Sequence, residues 1–447
     1  MNRPLARATA PLRGGLTVPG DKSISHRVVL LSLLADGPCR ATGWLDSADT
    51  RSSLEAVRAL GAVAHLDGDE LAITPPPARP VQDLVIDCGN SGTTARLLMG
   101  LLAGWLRAGD GAVTLTGDSS LRGRPMGRVV EPLRRMGADL AWAGEQGLLP
   151  VVVRGAALHG CDHALTVASA QVKSALLLAG LGASGVTTVR GAGGSRDHTE
   201  LMLRGLGVPV TGTPDAPAVA GPCSLSAFSA TVPGDPSSAA FFQVAAAAVP
   251  GSGVTVHGQS LNPTRIGALA VLARAGAGVA FDAAAGVNAA AGGEPCGDVC
   301  VRAGRLSAFT VEGHEVPSLV DEIPALAVLA TQCAGRSVFR GAGELRVKES
   351  DRLSLLARNL RRLGATIKET DDGLVIDGPC SLQGGAPGTP LELETAGDHR
   401  IAMAMAVASL FTKGETALDD EGCVAVSFPG FFSVMERLLD GGARPRP

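Results

Sequence analysis

No stretch of this 447-residue chain gathers charge of one sign. Lys+Arg 39 against Asp+Glu 43 leaves a net charge of -4. Without a basic tail or an acidic block, neither a nucleic-acid nor a membrane-surface role has electrostatic support. Long hydrophobic runs are missing too. Leu97–Leu106 and Ile401–Thr412 are the longest, and both fall short of the ~20 residues a spanning helix needs. The first ten residues hold no apolar core, which argues against a secretory signal, and a cytoplasmic protein is expected. The nine cysteines include no CxxC pair, so reduced, buried thiols are expected rather than a disulfide framework. Cys296 and Cys300 are the closest pair, and His159 and His163 flank a loop-like HGCDH; neither set has further ligands beside it, and no metal is expected. Tyrosine is absent, aromatics make up 3%, and lysine occurs only at positions 22, 173, 348, 368 and 413.

What is present is a globular composition, 45% hydrophobic and 18% charged, with a hidden repeat. A Ser- or Asp-rich start followed by an Ala/Leu run occurs at Asp21–Ala35, Asn90–Leu106, Ser169–Leu181, Asp235–Val249, Asp321–Ala334 and Asp398–Phe411, with starts 69, 79, 66, 86 and 77 residues apart. Each run is apolar nearly all round, which predicts six buried helices. A second mark keeps the same period: an amphipathic helix closed by glycine, at Gly61, Gly137, Gly207, Gly276, Gly364 and Gly442. Glycine suits the left-handed position just past a helix end. These second helices are expected to begin near Ser47, Arg124, Arg196, Pro263, Lys348 and Ser427. Short β-rich stretches such as VTLTG, VTTVRG and LVIDG lie between the helices. Six such units divide naturally into two α/β domains of three. The boundary is expected near Ser229–Gly234, and a second Val-Pro-Gly stands at Val18–Gly20.

The starts of the helices carry the functional signal. A helix N-terminus has free N–H groups and a partial positive charge, so it favours anions. This chain repeatedly places cations there: Lys22 and Arg27, Arg124 before Pro125, Arg196 with His198, Lys348 with Arg352, and Arg400. N–H groups, Ser hydroxyls and Lys/Arg together bind phosphate or carboxylate. Because these sites come from both halves, a positively lined cleft between the domains is expected. GDKS lacks the glycine spacing of a phosphate loop, GAGGSR does not fit a dinucleotide fingerprint, and no Ser nucleophile sits at a recognisable elbow. Glu349, between Lys348 and Arg352, and Asp321 in VDEIP are the carboxylates placed for proton work, with Asp49 a weaker candidate. Glu349 among cations is expected to be ionised before anionic substrates arrive.

The motifs GDKSISHR, GNSGTTAR, GDSSLRGRPMGRVVEPL, SAQVKSALLLAGL, SRDHTE, GDPSSAAFF, NPTR, VDEIPALA, LRVKESDRL and GDHRIAMA, in this order, resemble the 5-enolpyruvylshikimate-3-phosphate synthase (3-phosphoshikimate 1-carboxyvinyltransferase) family over almost the whole chain, in its class II form. The resemblance implies the enolpyruvyl transferase fold, an inside-out α/β barrel arrangement with each domain made of three βαβαββ repeats. Residues 21–231 would form the first domain, and residues 1–20 with 232–447 the second, with the active site in the cleft between them. It implies transfer of enolpyruvyl from phosphoenolpyruvate to the 5-hydroxyl of shikimate 3-phosphate, no cofactor, small-molecule partners only, and a monomer. By motif, Lys22, Ser23, Arg27, Ser169, Ala170, Gln171, Ser195, Arg196, Asp321 and Lys348 would hold shikimate 3-phosphate. Lys22, Asn90, Gly92, Arg124, Gln171, Arg352 and Arg400 would hold phosphoenolpyruvate. Asp321 would engage the 5-hydroxyl, Lys348 with Glu349 would transfer protons, and Lys22 would assist catalysis. Gly92 implies sensitivity to the phosphonate glyphosate, although Leu97 replaces a Pro found in some relatives. Val426 stands where the enteric form has a phosphoenolpyruvate-binding Lys, and Glu344 where it has an Asn, so no contact is carried over for the C-terminal segment.

Two other readings compete. The related transferase acting on UDP-N-acetylglucosamine uses a loop Cys near Ser120–Arg124, where this chain has none. A non-catalytic repeat protein that binds anions would have no need of Asp321 and Glu349 among its cations.

Overall fold

A computed structural model of the protein describes residues 3–282 and 293–440. The repeat appears as expected in its helices. Six buried ones span Lys22–Ser32, Gly92–Trp105, Ala170–Gly180, Pro236–Ala248, Ile323–Ala330 and His399–Ser409. Five of these have a side-chain N-cap: Asp21, Ser91, Ser169, Asp235 and Asp398 each accept a bond from a first-turn N–H. Such caps satisfy donors that would otherwise be stranded inside the protein. The fifth buried helix, Ile323–Ala330, begins instead from a 3-10 turn over Val320–Glu322, with a proline in its first turn. Asp321 therefore sits ahead of the helix and does not cap it.

The second helices start later than expected in five repeats. Ser47 does cap Ala48–Ala59. The others begin at Gly127, His198, Gly267, Arg352 and Phe431. Proline accounts for one shift, because the residue before Pro is steered out of the α region. Arg124, before Pro125, thus lies between a short Ser119–Arg122 helix and the Gly127–Arg135 helix, and Pro125 is not a first-turn residue. Lys348 is extended, and Asp351 caps the Arg352–Arg362 helix by accepting from Ser354 N at 3.1 Å. So Arg124, Arg196 and Lys348 lie on approach segments, while Lys22, Arg352 and Arg400 lie in first turns. The glycine marks hold: Gly61, Gly137, Gly207, Gly276 and Gly364 all have φ between 81° and 101°. Gly442 lies outside the described residues.

Among the described residues the strands form six sheets. In the second repeat, Leu84–Asp87 and Val113–Thr116 are parallel, and Val151–Arg154 then Asp139–Trp142 follow antiparallel. The third and fifth repeats keep the same spatial order, first–second–fourth–third. The first and fourth repeats obtain their leading strand from elsewhere. Ser229–Thr231 pairs parallel with Cys39–Thr42, and Arg13–Thr17 pairs parallel with Gly253–Ser260. The sixth repeat departs from βαβαββ. Its sheet has three strands among the described residues, and Arg3–Pro4 lies antiparallel to Thr416–Leu418 in the fourth-strand position.

Contacts separate the described residues into two compact units, one drawn from 3–19, 234–282 and 295–440, the other from 20–233 with 293–294. Each has its own hydrophobic core. In the unit from Gly20, the helices Gly92–Trp105 and Ala170–Gly180 meet backbone to backbone. A Cβ on Gly100 would stand 2.0 Å from the Ala175 carbonyl oxygen, so only glycine fits. In the other unit Phe241, Phe242, Phe428 and Phe431 pack ring to ring.

Candidate active site

In the unit from Gly20, most of the expected residues sit at the N-terminal ends of its three buried helices. Lys22 is the first residue of its helix, and its Nζ lies 2.9 Å from Asp49 Oδ2. One turn on, Arg27 is 3% exposed and heavily bonded. Its Nε donates to Thr199 Oγ1 at 2.7 Å, Nη1 to the Ser23 carbonyl at 2.7 Å and Nη2 to Ser174 Oγ at 2.8 Å. Burial pulls Arg27 down to about 10, with Glu200 working against it. Thus Arg27 ties the Ser23 backbone to two other helices.

Gly92 opens the second buried helix. A Cβ there would lie 3.0 Å from Arg96 Nη1 and 3.6 Å from Arg124 Nη1. Asn90 bridges, donating to Asp118 Oδ2 at 2.7 Å and accepting from Arg124 Nη2 at 2.6 Å. The Nε of Arg124 is buried with no partner among the described residues. Ser169 caps the third helix, and Ala170 and Gln171 are its first two residues. Gln171 accepts from Arg96 Nη1 at 2.6 Å and donates to Thr93 Oγ1 at 3.0 Å. Arg96 also donates to the Pro125 carbonyl at 3.2 Å. The sequence reading passed over Arg96 although it lies inside GNSGTTAR. Its spacing of four from Gly92, on the same helix face, was the available signal. Ser195 and Arg196 lie just before the His198–Gly205 helix, and the Ser195 hydroxyl donates to the Ala192 carbonyl at 2.6 Å.

In the other unit, Arg352 is the hub. It is 1% exposed, the first residue of its helix, and surrounded by carboxylates. Nη1 lies 3.3 Å from Asp321, Nη2 2.7 Å from Glu349 and Nε 2.8 Å from Asp398. Burial alone would lower Arg352, but the three carboxylates outweigh it and hold the guanidinium above its ordinary value. Asp398 is doubly employed: it caps the His399–Ser409 helix through Arg400 N and accepts from Ser350 Oγ at 2.9 Å. Lys348 reaches back to Glu344 at 3.2 Å, so the Glu that departs from the enteric pattern holds the lysine. Arg400 is 4% exposed, yet its guanidinium has no counter-charge among the described residues. A buried guanidinium lacking a partner is costly unless an anion completes it. Val426 ends a 3-10 turn over Gly422–Val426 and is half-buried.

Asp321 and Glu349 thus meet on one guanidinium although 28 positions separate them in the chain. Among the described residues no three His, Cys, Asp or Glu side chains gather as a metal group, and no helix is long and apolar enough to cross a membrane.

Residues 6–435 match the family model described as EPSP synthase (3-phosphoshikimate 1-carboxyvinyltransferase). The chain is 51% identical over 438 residues to a 3-phosphoshikimate 1-carboxyvinyltransferase of Anaeromyxobacter sp. (strain Fw109-5), covering 98% of each. It is 44% identical over 436 residues to one from Shouchella clausii (strain KSM-K16), covering 97% of this chain and 98% of that one. Among solved structures, an EPSP synthase from Acinetobacter baumannii superposes with a TM-score of 0.84 at 36% identity, covering 98% of both chains.

Proposed function

The chain belongs to the EPSP synthase family, and from that premise we propose how its residues perform the family's reaction. It is a transferase that moves the enolpyruvyl group of phosphoenolpyruvate to the 5-hydroxyl of shikimate 3-phosphate and releases phosphate. The relatives bear this name rather than that of the UDP-N-acetylglucosamine enzyme.

Lys22, Ser23, Arg27, Ser169, Ala170, Gln171, Ser195, Arg196, Asp321 and Lys348 hold shikimate 3-phosphate. Lys22, Asn90, Gly92, Arg124, Gln171, Arg352 and Arg400 hold phosphoenolpyruvate. When the carboxylate of phosphoenolpyruvate takes up Arg352, Glu349 loses its partner and can accept a proton. Glu349 then gives that proton to the methylene carbon. The adjacent carbon becomes cationic, the 5-oxygen bonds to it, and Asp321 accepts the hydroxyl proton. In the second half the carbon–oxygen bond to phosphate breaks, phosphate departs, and the Glu349 carboxylate takes a proton from the methyl group to restore the double bond. Lys22, Arg124 and Lys348 stabilise the charge on the leaving phosphate.

The observation that carries this reading is the sharing of Arg352 by Asp321 and Glu349. The nine cysteines are spread along the chain with no CxxC pair, which supports a reducing, cytoplasmic setting. Phosphate release with both substrates present tests the proposal. Asp321→Asn and Glu349→Gln are expected to lower kcat by roughly 100-fold or more while KM changes less than about fivefold. Near-normal turnover in either variant would reject the role given to that carboxylate.

A further inference from the structure

Three of the five lysines of this chain have no part in the mechanism above, and one of those three is fully buried. Lys173 lies one turn into the Ala170–Gly180 helix, with Nζ 2.6 Å from Glu200 Oε1 and side chains 1% and 3% exposed. Burying such a pair is unfavourable, and apolar residues of the same volume often serve stability as well or better. Stability alone is therefore a poor reason for its presence.

Its other contacts suggest a different one. Lys173 Nζ also donates to the Ser195 carbonyl at 3.2 Å, the peptide group that joins Ser195 to Arg196. Its backbone N–H donates to the Ser169 carbonyl at 3.0 Å. A single residue thus grips both Ser169, which opens the Ser169–Gln171 segment, and Ser195, which leads into Arg196. The neighbouring positions repeat the pattern. Ser174 accepts from Thr199 Oγ1 at 2.7 Å and from Arg27 Nη2 at 2.8 Å, and Arg27 in turn holds the Ser23 carbonyl. Residues 173–174 and 199–200 therefore form a buried polar seam beneath three separate segments that supply anion-binding groups.

We propose that Lys173 is a positioning residue for shikimate 3-phosphate: with Glu200 holding its ammonium, it fixes the Ser195–Arg196 segment against the Ser169–Gln171 helix start. This rests on the assignment of those segments to shikimate 3-phosphate. An apolar pair could fill the space but could not donate to the Ser195 carbonyl. A side chain that merely fills space and one that aims a backbone carbonyl therefore make different predictions.

The test is equilibrium binding of shikimate 3-phosphate alone, with thermal melting of the same samples, on the unaltered protein, Lys173→Met, Glu200→Gln and the double variant Lys173→Met/Glu200→Leu. Lys173→Met is expected to lower Tm and to weaken binding by about tenfold or more. The double variant is expected to recover Tm while its Kd stays at least about tenfold raised, because the buried charge is gone but the donor is still missing. Glu200→Gln keeps the donor and is expected to weaken binding at least about fivefold less than Lys173→Met. A double variant with Kd within about threefold of the unaltered protein would overturn the proposal. If the double variant does not fold, equal losses of affinity in the two single variants overturn it just as well. Should the unaltered protein itself fail to bind shikimate 3-phosphate, it is the assignment of the segments that falls.

Discussion

Single side chains show how burial and charge are set against one another here. His26, inside GDKSISHR, is fully buried, with Nδ1 2.8 Å from Ser53 Oγ and Nε2 without a partner among the described residues. Burial is the main cause that pushes its pKa down to about 3 from 6.5, with Asp49 opposing and Lys22 and Arg27 assisting. Between those two values the unfolded chain holds a proton that the folded chain does not. Stability is therefore complete above pH 6.5 and falls as the pH drops towards 3, by about 1.4 kcal/mol per unit from this group. His26→Gln should flatten that slope. Urea unfolding at pH 7 and 4.5 would show the unaltered protein losing roughly 2–3 kcal/mol more than the variant over this interval. Equal losses would remove His26 as the cause. The contrast with Arg352 is informative: it is as deeply buried, but three carboxylates keep it charged.

At the scale of elements, the helices were legible because their signals are local. An Ala/Leu run behind Ser or Asp makes a buried helix in each of the six repeats, capped by that Ser or Asp in five of them, and glycine after an amphipathic run takes a positive φ at Gly61, Gly137, Gly207, Gly276 and Gly364. The starts of the second helices were less legible. Cations such as Arg124 and Lys348 stand ahead of their helices, and proline or an Asp cap a few residues later decides where the helix begins. Arg96 was hidden for a different reason: its importance lies in reaching Gln171 and Pro125, and neither neighbour can be known before the helices are packed. That packing can be probed at Gly100. A methyl group there would meet the Ala175 carbonyl of the helix that begins with Ala170 and Gln171. Gly100→Ala is expected to cost about 1–3 kcal/mol by overpacking, read from the urea midpoint. An unshifted midpoint would mean that the two helices do not approach so closely.

For the whole molecule, the count of repeats and their division into two groups of three could be read from periodicity, but not the source of each leading strand. Arg13–Thr17 precedes the first buried helix in the chain, yet pairs with Gly253–Ser260; Ser229–Thr231 precedes the fourth, yet pairs with Cys39–Thr42. Strand pairing at such separations depends on tertiary contacts, which leave no periodic trace in sequence. The exchange makes a specific prediction. Leu16 is 6% exposed and in register with Val256. Leu16→Ala should cost about 2–5 kcal/mol in its own unit. Hydrogen exchange should then quicken in Gly253–Ser260 and not in Cys39–Thr42, despite the nearness of the latter in sequence. Quickening confined to Cys39–Thr42 would contradict the pairing.

The proposal that Lys22 and Arg400 both serve the transfer reaction is tested most directly by kcat/KM for phosphoenolpyruvate in Lys22→Met and Arg400→Met, with Tm recorded alongside. Arg400 is 4% exposed and makes no ion pair among the described residues, so its removal should leave Tm within about a degree or two or raise it. Each variant should nevertheless lose about 100-fold or more in kcat/KM, or roughly 2.7 kcal/mol of transition-state stabilisation. Unaltered kcat/KM in either variant would contradict the role proposed for that cation.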